Sequence, residues 1–138
     1  MRFLAAMGRW LSISCLVDLG ELSPSHRVWL TGIEDAEGGL TLHYEFVPAV
    51  QPEEIRDARG GFHWKLRVRD DLGNEHALGD TGALDLDSDY PTSHGLRRIG
   101  RVPAEATKLF LTFLPARGVS ADPHQAMVDL RSRSLSSA

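Results

Sequence analysis

Eight consecutive residues, Phe62-His63-Trp64-Lys65-Leu66-Arg67-Val68-Arg69, alternate strictly between large apolar and polar side chains. Period two over that length belongs to a β-strand with one face in a core and one in water. The strand is followed at once by Asp70-Asp71-Leu72-Gly73-Asn74. Gly73 and Asn74 adopt positive φ cheaply, so this segment predicts a tight turn. The chain therefore reads as an antiparallel β protein built around a tryptophan.

The same parity recurs elsewhere. Leu40, Leu42, Tyr44 and Phe46 alternate with Thr41, His43, Glu45 and Val47, a strand as clean as the first. Leu11, Ile13, Cys15, Val17 and Leu19 set a first strand over about residues 11–19. Residues 1–10 are an extension, either a loose start or a short helical turn. Residues 21–26, with Ser23-Pro24-Ser25, read as a loop before a second strand over 28–33. Asp35-Ala36-Glu37-Gly38-Gly39 reads as a hairpin turn. Residues 48–61 form a long connection, either helical for one turn at 53–58 or mobile, and its length suggests a crossing between sheets. A short return strand over 75–78, a loop from Gly79 to Gly95, and strands over 96–102, 107–114 and 126–130 complete the count. The tail 131–138 lacks apolar mass and is expected to be disordered.

These signals predict one domain over residues 11–130, an all-β, immunoglobulin-like antiparallel β-sandwich of about 7–8 strands, with a small closed barrel as the main rival. At 138 residues the chain supplies enough buried surface for a self-sufficient core. Cys15 is the only cysteine, so an intramolecular disulfide and a multi-thiolate zinc site are both impossible. Its place on apolar parity favours a buried, inert thiol over a reactive one. The net charge of −4, with basic residues scattered along the chain, argues against nucleic-acid or phosphate binding. No window of about 18 uninterrupted apolar residues exists, so no membrane span is expected. Gly8-Arg9 interrupts the N-terminal apolar run, and the sequence is expected to be soluble, cytoplasmic rather than exported.

The order of Leu40 to Phe46, Trp64 to Gly73, Gly79 to Gly82 and Pro103 to Leu109 resembles a group of uncharacterised, mostly actinobacterial proteins with an immunoglobulin-like sandwich. Those proteins share an alternating strand, a Trp-x-Leu-x-Val-x-Asp-Asp-x-Gly segment, a Gly-rich stretch and a Pro-x-x-Ala-x-x-Leu link. The resemblance spans roughly residues 26–130. It implies the sandwich fold and no particular activity. The chain departs from the group at Asp85-Leu86-Asp87-Ser88-Asp89.

That acidic run is the sharpest chemical pattern. Asp85, Asp87 and Asp89 on a flexible loop suit a hard cation such as calcium, which takes six to eight oxygens. Tyr90 and Leu96 stand where a helical-hand calcium loop needs glycine and glutamate, and a solvated acidic loop is the plainer account. His43 and His63 lie on the wet parity of the two best strands and could share a transition metal if those strands were neighbours; surface histidines on a wet face are the simpler reading. No Gly-x-Ser-x-Gly elbow is present, and Gly79-Asp80-Thr81-Gly82 lacks the lysine and helix of a phosphate loop. Asp70 and Asp71, adjacent at a strand end, should point to opposite faces. Trp29 and Phe110 are off-parity from their apolar neighbours. Either they form an exposed interaction surface or the 48–61 connection covers them.

The sequence thus predicts a non-enzymatic module that binds a protein partner or self-associates. A calcium-binding module on the Asp85–Asp89 loop is the alternative, and an enzyme with a concealed site is the third.

Overall fold

A computed structural model describes residues 8–10, 17–36, 39–59, 61–76, 82–86, 89–132 and 134–137. Eleven strands and one helix lie among them. They are β1 (Gly8–Trp10), β2 (Val17–Ser23), β3 (His26–Ala36), β4 (Gly39–Val47), α1 (Pro52–Asp57), β5 (Lys65–Asp70), β6 (Glu75–His76), β7 (Gly82–Leu84), β8 (Ser93–Gly100), β9 (Lys108–Leu114), β10 (His124–Asp129) and β11 (Ser134–Ser137). They form two antiparallel sheets packed face to face, an all-β sandwich. The first sheet has the order β1-β3-β4-β8-β7 with β2 also paired to β3, and the second β11-β10-β9-β5-β6.

Parity decides which side chains enter the core. The apolar positions of β4, Leu42, Tyr44 and Phe46, are buried, and those of β9, Leu109, Leu111 and Phe113, face them from the other sheet. Trp64 sits between the layers, its ring 4.9 Å from that of Tyr44 in the first sheet and 5.6 Å from Phe113 in the second. The first contact is edge-on and the second tilted, and aromatic pairs of such geometry add about 0.5–1.5 kcal/mol each beyond area burial.

Several expectations need correction. Among the described residues the strands number eleven rather than seven or eight, because short edge strands carry little parity signal. Residues 21–26 are not a loop: β2 and β3 meet in a hairpin, with Ser23 opposite His26 and Ser25 at φ 64°. The Trp64 segment keeps alternating burial from Phe62, but its ladder begins only at Lys65. The 79–95 stretch contains β7, and β8 starts at Ser93. In the expected disordered tail, residues 134–137 add β11 to the edge of β10, with Leu135 opposite Val128. In the expected N-terminal extension, Gly8–Trp10 pairs with β3. The expected strand over 11–19 is described only from Val17 onward, and Cys15 lies outside the described residues, as do Asp80 and Asp87.

The connection between β4 and β5 crosses from one sheet to the other, and its first residues are tied to the chain around the start of β8. The Ala49 amide donates to Pro91 O, the Val50 amide donates to Ser93 Oγ, and Val50 is buried. Pro52 opens α1, and Glu54 Oε2 accepts the Gln51 amide at 2.8 Å as a cap. Glu54 Oε1 also meets the buried His26 Nε2 at 2.7 Å, while His26 Nδ1 faces Pro48 O at 2.7 Å. Val50 joins the core cluster, and Ile55 and Ala58 pack against it.

Candidate binding surface

On the outer face of the second sheet, strand parity aligns Lys65, Arg67 and Arg69 in one exposed row on β5. Register then sets Arg69 opposite Phe110, and Phe110 opposite Met127. Arg67 is opposite Thr112, and Thr112 opposite Gln125. The Arg69 guanidinium lies 5.9 Å from the Phe110 ring centre, at the outer reach of a cation–π contact. Arg67 reaches sideways to Glu75 Oε1 at 2.7 Å and holds that carboxyl below its ordinary value. A shallow depression of about 210 Å³ is lined by Arg67, Arg69, Glu75, Phe110, Thr112 and Gln125, with Val68 beneath.

Asp70 and Asp71 do part to opposite sides. Asp70 is buried and accepts hydrogen bonds from the Leu72 and Asn74 amides, Asn74 Nδ2 and His76 Nε2. Burial alone would raise its pKa, but these four donors outweigh burial and hold it at about 2. Asp71 turns outward and accepts from the Thr107 hydroxyl and the Thr107 and Lys108 amides, which lowers its pKa and fixes the start of β9.

The outer face of the first sheet carries a different set. Trp29 is there, half-buried, between Asp18 on β2 and Glu45 on β4. Trp29 and Phe110 therefore belong to the outer faces of different sheets and form no common patch. His43 is on β4 of the first sheet, whereas His63 precedes β5 of the second, so their strands are not neighbours. His43 instead approaches His94 of the neighbouring strand, Nδ1 to Nε2 at 3.1 Å, and Glu34 Oε1 lies 3.2 Å from His43 Nε2. His63 is half-buried, and burial together with the Arg97 charge depresses its pKa.

Between the layers, the half-buried Arg97 lays its guanidinium 4.0 Å from the Trp64 ring centre and donates to Trp64 O at 3.0 Å. Its charge and hydrogen bond favour the Tyr44 phenolate, yet burial dominates and raises the Tyr44 pKa.

Asp85 and Asp89 are exposed, and Asp87 lies outside the described residues. Among the described residues no three or more His, Cys, Asp or Glu side chains converge as a metal cluster. Among them, too, no helix is long and apolar enough to cross a membrane. Parity alone could have found the Lys65-Arg67-Arg69 row. Its union with Phe110, and that of His43 with His94, depends on registers between strands some 40 to 50 residues apart in sequence.

Fold and site together define a two-sheet antiparallel β-sandwich with a basic, aromatic outer face. No protein-family model and no curated protein matches the chain. It is similar to a solved structure described as the conserved domain protein from Bacillus anthracis, at 16% identity and a TM-score of 0.37. The match covers 88% of this chain and 34% of that one.

Proposed function

We propose that this chain is a non-enzymatic binding module whose outer five-stranded face docks an acidic protein segment. The observation that carries the reading is the Arg69–Phe110 pair beside Arg67 in a shallow depression. Arginine and aromatic side chains are the residue types that dominate binding energy at protein interfaces. At about 210 Å³ the depression is smaller than the roughly 300–1,000 Å³ of small-molecule sites, so it suits one inserted side chain. Lys65 extends the positive field on a chain whose net charge is −4, which favours an acidic partner on this face alone. An extended polyanion such as nucleic acid would also meet the negative remainder.

The strand order supports an immunoglobulin-like reading of the sandwich. β3-β4-β8-β7 beside β10-β9-β5-β6 parallels the A-B-E-D and G-F-C-C′ order of such domains, with Trp64 entering the strand equivalent to C. Domains of this kind host many functions, so the face and not the fold carries the proposal.

The test is fluorescence anisotropy with a labelled peptide of alternating glutamate and tyrosine, in low and physiological salt. Binding should weaken at least about tenfold in Arg67→Glu/Arg69→Glu and several-fold in Phe110→Ala, and should fade as salt screens the charges. No binding, or binding indifferent to these changes, overturns the reading. Tighter binding of a single-stranded oligonucleotide by the same residues replaces it with a polyanion site. Concentration-dependent dimerisation in light scattering, abolished by Phe110→Ala, replaces the foreign partner with a second copy.

A further inference from the structure

We propose that His43 and His94 form a two-imidazole site for a divalent transition ion of the zinc, nickel and copper class, oriented by Glu34. The residues come from the adjacent antiparallel strands β4 and β8. Glu45 is directly opposite His94 and His43 directly opposite Leu96, so the two imidazoles are diagonal neighbours on the outer face. Diagonal pairs on one sheet face stay within reach of ring side chains. Here the rings are within 8° of parallel, their centres 5.2 Å apart.

Glu34 decides which nitrogen of His43 carries the proton. Its Oε1 faces His43 Nε2 at 3.2 Å, and an ionised carboxylate only accepts hydrogen bonds. Nε2 therefore carries the proton, and in the neutral ring Nδ1 offers its lone pair toward His94. This is the carboxylate–histidine arrangement that fixes the tautomer of metal-bound imidazoles and raises their basicity. His43 and Glu34 are both mostly shielded, at 15% and 21% side-chain exposure, so this half of the site is held in place.

The spacing suits a shared ion. For two nitrogens 3.1 Å apart, an ion about 2.0–2.1 Å from each subtends roughly 95–102°, between octahedral and tetrahedral angles. Without metal, the same spacing carries an N–H···N bond from His94 Nε2 to His43 Nδ1. Metal binding then requires His94 to move its ring proton from Nε2 to Nδ1, a tautomer change that releases no net proton. His94 is exposed, so water can mediate that transfer and the ring can turn slightly toward the ion. Imidazole ligation selects borderline transition ions, while magnesium and calcium prefer oxygen donors. With only two protein ligands, water completes the coordination sphere and the ion exchanges readily.

The experiment is thermal melting of the full chain with Cu2+, Ni2+, Zn2+, Mg2+ or Ca2+, paired with ring-proton NMR during a substoichiometric Cu2+ titration. The transition ions should raise the melting temperature, copper most, and the hard ions should not. Copper should broaden the His43 and His94 resonances before those of His26, His63, His76 and His124. His94→Asn should remove the metal-induced shift, measured against that variant's own metal-free melt, and Glu34→Gln should weaken Ni2+ binding about tenfold. Equal shifts in wild type and His94→Asn, or broadening that begins at another histidine, overturn the proposal. Should a variant fail to fold, the wild-type NMR titration decides the matter alone.

Discussion

The Arg97 guanidinium lies 4.0 Å from the centre of the Trp64 indole and donates a 3.0 Å hydrogen bond to the carbonyl of that same residue. One side chain from the six-stranded sheet thereby holds both the ring and the backbone where the five-stranded sheet begins. Removing it leaves a buried carbonyl without its donor and a ring face without its cation. Arg97→Met should lower the unfolding free energy by about 2–4 kcal/mol. Arg97→Lys should recover only part, since an ammonium lacks the planar fork that bonds the carbonyl and stacks at once. Urea titration followed by tryptophan fluorescence measures both; a loss under about 0.5 kcal/mol in Arg97→Met would make the contact incidental.

Gly95 is held to glycine by Tyr44. The two are directly opposite on β4 and β8, and a Cβ at Gly95 would come 2.4 Å from Tyr44 Cε2 and 2.5 Å from Cζ. Tyr44 is buried against Phe46 and Trp64, so its ring has nowhere to retreat. Gly95→Ala should cost about 1–3 kcal/mol. Combining it with Tyr44→Leu should cost clearly less than the sum of the two changes, because both act on one contact. Additive losses in a double-mutant cycle would refute the steric account.

Acid should weaken the turn after β5. The Asp70 carboxyl, at about pKa 2 in the folded chain against an ordinary 3.8, is depressed by folding. Its stabilising contribution is fully present above about pH 4 and is lost as pH falls toward 2. Wild type should therefore lose melting temperature more steeply than Asp70→Asn between those pH values. Parallel curves would mean that the four donors do not favour the ionised form.

Glu54 joins two devices in one carboxylate, the cap of α1 and the contact to His26. Burial raises its pKa, yet the Gln51 amide and the His26 ring hold it below the ordinary value. Glu54→Ala should destabilise the cap by about 1 kcal/mol. It should also speed amide exchange across residues 50–58 while leaving β9 protected. Unchanged exchange at Val50 and Ala58 would show that burial of Val50 alone pins the connection.

The strand parities at 40–46, 62–69 and 107–114 were legible in the sequence, as was the turn at 70–74, because each depends only on residues a few positions apart. Parity assigns every side chain of a strand to core or solvent without knowledge of its neighbours. Leu42, Trp64, Val68 and Leu111 are buried accordingly, and Lys65, Arg67 and Arg69 are exposed. The short strands β7 and β11 gave no such signal, since three or four residues cannot show a period, and β6 was legible only as the return from the 70–74 turn.

What the tertiary structure alone decided is who faces whom. Arg69 meets Phe110 at a sequence separation of 41, His43 meets His94 at 51, and Arg97 reaches Trp64 at 33. Which strands pair, and in which register, follows from the packing of the whole core and the closure of every connection between them. That choice is collective, so no local stretch of sequence encodes it.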